Sequence, residues 1–197
     1  MLIKKIGHSE DILEQKDSEY KYLSPFLYKK DKKYFLLYCN RLSSMEFYGE
    51  INFSSSLDLV KWKKEKIRIL PPFNNSYKSL VSPSLLSIKG KYFLFVEGQK
   101  EKKKSDILCY VSNNFKNWRL KSDFLLSSNN SSLTSPYAFK HINKIKLFFS
   151  INNNIIKLIE LDEKLNYIKE QKCFTKKLKS EKYSIYSPNI IKLKNKY

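Results

Sequence analysis

The sequence predicts an all-β fold of repeated four-stranded antiparallel sheets standing side by side as blades of a β-propeller, and three observations carry that expectation. The first is an eleven-residue motif: SPFLYKKDKKY at 24–34, SPSLLSIKGKY at 82–92 and SPNIIKLKNKY at 187–197 share Ser-Pro at the start and Lys-Tyr at the end, and SPYAFKHINKI at 135–145 is a looser copy. The prolines at 25, 83, 136 and 188 are spaced by 58, 53 and 52 residues. The second is a downstream echo, in which SSSLDLVKW ending at Trp62 returns as VSNNFKNW ending at Trp118, 56 residues later. The third is the absence of any sustained 3.6-residue apolar period, which excludes helical solenoids. Four short strands per repeat, at a period near that of known blades, leave each sheet with an apolar face that only the next sheet can cover.

The second unit shows the anatomy in order. Pro83–Ile88 is an apolar run opened by proline, Lys89-Gly90 is a tight reversal, and Lys91–Glu97 is a second run rich in strand-favouring aromatics. After the charged interruption QKEKKKSD, Ile107–Ser112 is the third run, and a fourth runs from Arg119 to Leu126. The units span about 24–81, 82–134 and 135–186, with a partial unit at 187–197, all within a single domain over 1–197. Three units and a fraction leave sheet edges open, so a further C-terminal part or a partner chain is expected to complete the ring.

Composition bounds the rest. At 42% apolar and 15% aromatic residues the chain can build a core and is not a disordered tail. Cys39, Cys109 and Cys173 have no zinc-ligand spacing, their odd number argues against a disulfide scaffold, and the first two fall in apolar runs that predict buried thiols. The N-terminal stretch MLIKKIGHSEDILEQKDSEYKY has neither the apolar core of a signal peptide nor a membrane span, which makes the cytoplasm the expected compartment and no transmembrane segment the expectation. With four glycines and no phosphate-cradling loop, no cofactor and no metal are expected. The net charge of +19 favours non-specific contact with polyanions, yet only Arg41, Arg68 and Arg119 among 38 basic residues are arginine. That bias weakens a dedicated nucleic-acid role, because sequence readers and phosphate clamps rely on the arginine fork.

Asp58 can accept a backbone hydrogen bond in the turn toward Trp62, and Trp62 and Trp118 can cover joints between neighbouring sheets. The units resemble blades of the five-bladed propellers of glycoside hydrolase family 43 and the related invertase and levansucrase-like families. The resemblance covers roughly residues 20–197 and rests on the proline-led strand, the Lys-Gly turn, the Tyr-rich second strand and the Ser-x-Asp-Leu-x-x-Trp segment, here Ser56 to Trp62. It implies a carbohydrate ligand, an oligosaccharide or polysaccharide, and either glycoside hydrolysis or transfer at a central funnel or, alternatively, a non-catalytic carbohydrate-binding or assembly module. It also implies an acid before the proline of each of the first blades. Here the matching positions are Ser24, Ser82 and Thr134 or Ser135, none of which supplies a carboxylate.

Other polar groups can reach the same rim. Strand one leaves the Ser-Pro end, so strand two returns to it and strand three departs again. Arg41, Glu50, Glu97 and Asp106 therefore share the predicted mouth with Ser24, Ser82 and Ser135. Glycoside hydrolysis needs two carboxyl groups, about 6.5 to 9.5 Å apart in inverting enzymes. Glu97 and Glu50 are the candidate acid and base; Ser24, Arg41, Ser82, Asp106 and Ser135 are candidate ligand-binding residues. A lysine-driven adhesion to anionic surfaces or nucleic acid is the alternative that the charge alone would support.

Overall fold

The computed structural model describes residues 20–42, 48–72, 77–100, 104–175 and 188. The expected segment before residue 20 and the partial unit at 187–197, Pro188 apart, lie outside the described residues. Twelve strands fill the rest. They are β1 (Tyr20–Lys30), β2 (Lys33–Leu42), β3 (Gly49–Ser56), β4 (Lys63–Ile69), β5 (Tyr77–Ile88), β6 (Lys91–Lys100), β7 (Ser105–Ser112), β8 (Arg119–Leu126), β9 (Leu133–His141), β10 (Lys144–Ile151), β11 (Ile155–Leu161) and β12 (Tyr167–Thr175). Each set of four pairs antiparallel with its sequence neighbours, giving three units of identical connection. Units one and two are joined into one eight-stranded sheet by a single parallel bridge, Gly49 opposite Ser79, while unit three is a separate four-stranded sheet. Among the described residues no helix is long and apolar enough to cross a membrane.

The first strand of each unit begins earlier than its Ser-Pro. β5 starts at Tyr77, six residues before Pro83, and β1 at Tyr20. The reason is that Ser-Pro is a bulge inside the strand and not its boundary. Pairing runs from Val81 opposite Glu97 directly to Ser84 opposite Phe95, and β1 skips in the same way between Leu23 and Phe26. A bulge is where a strand tolerates proline, since the missing N–H would otherwise break the ladder. Ser24, Ser82 and Ser135 sit there at φ of 52°, 53° and 52°. Three non-glycine residues in the left-handed region, each directly before a proline, hold a conformation that costs about 1–3 kcal/mol apiece.

Two cores form, each between consecutive units. The first packs Phe35, Leu37, Cys39, Ile51 and Phe53 of unit one against Leu85, Leu94, Val96, Leu108 and Tyr110 of unit two. The second packs Phe93, Phe95, Ile107, Cys109 and Phe124 of unit two against Ala138, Ile145, Leu147, Phe149 and Ile159 of unit three. Unit two is thus covered on both faces, which is why β6 and β7 read as nearly unbroken apolar runs while β4 and β8 are mostly exposed. Cys39 and Cys109 are buried free thiols, and burial pushes the Cys39 thiol up to about 11 and Cys109 higher still.

The turn after the third strand recurs in all three units. Ser56 and Asp58 make it in unit one: Asp58 Oδ1 accepts from the backbone N–H of Val60 and of Lys61, both at 2.8 Å, and those bonds hold its carboxyl below the usual range. Ser112 and Asn114 repeat it in unit two, Asn114 Oδ1 accepting from Lys116 N at 2.9 Å and Asn117 N at 2.8 Å. In unit three Asp162 serves, accepting from Lys164 N and Asn166 N at 2.8 Å. Each turn holds one apolar residue at positive φ: Leu59 at 65°, Phe115 at 65° and Leu165 at 73°. Phe115 enters the first core among Phe35, Phe53, Tyr92 and Trp118, and Leu165 enters the second. Leu59 is 42% exposed, with Leu57 and Val60 exposed beside it. Trp118 likewise packs on Phe53 across the joint between units one and two, whereas Trp62 donates Nε1–H to Leu59 O at 3.1 Å within its own turn.

Candidate functional site

The three Ser-Pro bulges meet. Ser24-Pro25, Ser82-Pro83, Ser135-Pro136 and Pro188 line one recess of about 460 Å³, closed on one side by Phe26 and Tyr137. The three described Ser-Pro bulges come together because their strands β1, β5 and β9 lie beside one another, and Pro188 joins them.

A second, polar pocket of about 360 Å³ opens where the second strands end. It is lined by Arg41, Glu97, Gln99, Lys100, Ser105 and Thr134 together with Ser132, Asn152 and Asn153. Its backbone is a chain of hydrogen bonds through all three units. Arg41 of β2 reaches into unit two, donating from Nη2 to Gln99 Oε1 at 2.7 Å and lying 3.4 Å from Ser79 Oγ. Gln99 donates Nε2–H to Glu97 Oε1 at 2.8 Å. Ser105 Oγ donates to the same oxygen at 3.1 Å, and Ser135 N donates from unit three to Glu97 Oε2 at 3.1 Å. The carboxylate of Glu97 is 5% exposed, so these donors replace the water it has lost.

Unit three supplies the opposite wall through the three-residue hairpin loop 152–154, with Ile151 paired to Ile155 across it. Asn152 and Asn153 have φ of 49° and 54°, and Asn154 N donates to Ile151 O at 3.0 Å, the pattern in which asparagine is favoured because it tolerates the left-handed region. Asn152 Oδ1 accepts from Ser132 N at 2.7 Å, Asn153 Oδ1 accepts from Thr134 Oγ1 at 2.9 Å, and Ser132 Oγ donates to Ser105 Oγ at 3.0 Å. The side-chain amide nitrogens of this wall, with Arg41 and the hydroxyls, make a surface of directional donors and acceptors rather than an apolar one.

The residues singled out in the sequence divide among these places. Ser24, Ser82 and Ser135 line the proline recess, and Ser135 also ties its backbone to Glu97. Arg41 and Glu97 share the polar pocket. Glu50 and Asp106 hold equivalent places at the start of their third strands, opposite Asn40 and Gly98, and neither lines that pocket. Glu50 is clasped by Arg68, from Nε at 2.9 Å and Nη2 at 2.6 Å, and also accepts from Asn52 Nδ2 at 2.9 Å. Asp106 accepts from Tyr77 Oη at 2.7 Å and pairs with Lys100. Burial and that bond to Asp106 raise the Tyr77 hydroxyl well above its ordinary value. Among the described residues Glu97 is therefore the one carboxylate lining the pocket. Among the described residues no three His, Cys, Asp or Glu side chains cluster closely enough to hold a metal ion.

Sequence reasoning missed Gln99, Ser105, Ser132, Asn152 and Asn153. The run Ile-Asn-Asn-Asn-Ile at 151–155 was a readable signal, since asparagines between two apolar runs mark a tight hairpin and strand alternation places that hairpin at the mouth.

No sequence-family profile and no curated protein matches the chain. Solved structures do. A family 117 glycoside hydrolase of the marine bacterium Zobellia galactanivorans superposes with a TM-score of 0.65 at 17% identity, over 79% of this chain and 56% of that one. An exo-beta-1,3-galactanase of Phanerochaete chrysosporium gives 0.63 at 11% identity, over 75% and 37%, and a glycosyl hydrolase of Bacteroides ovatus gives 0.58 at 14%, over 79% and 52%. The chain spans about half or less of the length of these proteins. What it shares with them is the fold, that of the five-bladed β-propeller glycoside hydrolases, along part of the circuit.

Proposed function

We propose that this chain is an arc of a β-propeller, three blades and the opening of a fourth from a ring of five, that binds a glycan in the polar pocket at its mouth. The observation that carries the reading is the chain of hydrogen bonds Arg41–Gln99–Glu97–Ser135, which crosses three units and whose first three members line that pocket. Amides, hydroxyls and a guanidinium held by neighbours are what sugar hydroxyls pair with, and few preorganised polar groups fix a small ligand's orientation. Pro188 beside Pro25, Pro83 and Pro136 supports the fourth blade, and the likeness to glycoside hydrolases supports the carbohydrate.

Binding is favoured over hydrolysis. Cleavage of a glycosidic bond takes two positioned carboxyl groups. Among the described residues Glu97 has no second acid beside it in the pocket, Glu50 is occupied by Arg68, and serines stand before the prolines. The test is a titration of the protein with neutral gluco-, galacto-, xylo- and arabino-oligosaccharides, followed by NMR of the side-chain amides and by release of reducing sugar. Saturable shifts at Gln99 and Asn153 without release support the reading. Shifts confined to other surfaces, or none at millimolar sugar, overturn it. Steady release abolished by Glu97→Gln would replace it with catalysis.

A further inference from the structure

We infer that the mouth pocket selects sugars carrying an anionic group, a carboxylate or a sulfate ester, and that Arg41 is the residue that recognises it. This rests on the reading of the pocket as a glycan site and adds the class of sugar.

The hydrogen-bond relay through the pocket is closed at its negative end and open at its positive end. Glu97 has both carboxylate oxygens engaged, Oε1 by Gln99 and Ser105 and Oε2 by Ser135 N, and almost no exposure. Arg41 is different. Its Nη2 meets two neutral acceptors, Gln99 Oε1 and Ser79 Oγ, and its Nε is buried with no partner. Among the described residues Arg41 forms no ion pair, whereas Arg68 of the same unit grips Glu50 with two nitrogens. A guanidinium stays charged at any physiological pH, and a half-buried one whose hydrogen-bond partners among the described residues are neutral, with the Glu97 carboxylate one amide away and held by its own donors, has lost solvation that a directly paired anion would restore.

The other lining groups do not supply that opposite charge. Lys100 adds a second cation, paired with Asp106, and Ser132, Thr134, Asn152 and Asn153 are neutral. An anion entering beside Arg41 can take over the long 3.4 Å contact that Nη2 makes to Ser79 Oγ, and the amides around it can hold the hydroxyls of the same ring. The pocket volume of about 360 Å³ falls at the small end of ligand cavities, the size for one or two sugar rings rather than a long chain. General attraction of a +19 chain for polyanions would act on any charged polymer; this site would act on a single charged ring, and in moderate salt.

The experiment compares three trisaccharides of matched length in 0.15 M salt by calorimetry: neutral galactotriose, trigalacturonate and a singly sulfated galactotriose. Either charged sugar should bind about tenfold or more tightly than the neutral one, and which of the two does so tells carboxylate from sulfate. Arg41→Gln should remove the preference, so that the charged sugars bind no more tightly than the neutral one to the same variant. Arg41→Lys, which keeps the charge and loses the fork, should retain part of it, with melting curves showing both variants folded. Equal affinity for charged and neutral sugars overturns the inference and leaves the glycan reading standing. A preference that survives Arg41→Gln places the anion on the lysine surface and overturns it too. Failure of all three sugars to bind overturns both.

Discussion

Phe115 shows how one side chain at a turn can decide whether two sheets stay together. It is 3% exposed, holds ring contacts to Phe35, Phe53, Tyr92, Trp118 and Tyr28, and lies under the ammonium of Lys30. Replacing it by alanine empties the joint between units one and two, and Phe115→Ala should cost about 3–5 kcal/mol in chemical denaturation. Leu59 holds the matching place in unit one but is 42% exposed, so Leu59→Ala should cost less than about 1 kcal/mol; equal losses would show that the first turn is also sheathed. At this scale the sequence was uneven in what it disclosed. Glu97 was readable because it interrupts an aromatic run immediately before Gly98, and strand alternation carries Arg41 to the same rim. The clasp of Arg68 on Glu50 was not, because it depends on which residues of β3 and β4 face each other, and that register shifts between Asn52 and Ser54.

Among the elements, the turn after the third strand is the part that sequence comparison found twice and missed once. The tryptophans advertised it in units one and two, but unit three ends its turn on Asn166, so the shared feature is the side-chain oxygen that collects two backbone N–H groups. Asn114→Ala removes both bonds from the turn that places Phe115 and should lower stability by about 1 kcal/mol, whereas Asn114→Asp should preserve it, as Asp58 and Asp162 do in the neighbouring units. Denaturant midpoints of the two variants check this; an aspartate as damaging as alanine would mean that the turn is held by packing alone. The Ser-Pro motif marked the strands faithfully but not their limits. Proline was read as an opening because it cannot donate to a ladder, while the pairing of Leu80 and Val81 with Gly98 and Glu97 shows that the ladder resumes on its far side.

For the whole molecule, the legible part was the repetition and the hidden part was what the repetition leaves uncovered. A period and an alternating pattern specify one sheet and its two faces; they do not say which neighbour a terminal face meets. The titrating groups act at the same scale. Asp58, Asp162, Glu160 and Glu163 are held below their ordinary range, by backbone or side-chain hydrogen bonds and by the lysines around them. A carboxyl whose folded value is depressed contributes stability that is complete above its unfolded value and fades as pH falls through the folded one, so unfolding by acid should begin below about pH 4.5. Burial raises Cys39, Tyr38 and Tyr110; their contribution is complete below the unfolded values and lost as pH climbs through the folded ones. Melting temperature against pH should therefore form a plateau between about pH 5 and 8 with a fall on each side, and a steady rise through neutrality would contradict it. The first turn carries a consequence of another kind. Its apolar tip, Leu57 with Leu59 and Val60, stands in water beside Lys61, Lys63 and Lys64, and mutual repulsion between those ammonium groups keeps one molecule's tip from another's. Screening shrinks from a reach of about 10 Å at 0.1 M salt to about 3 Å at 1 M. Strong brine thus strips that repulsion from the tip and turns it into glue.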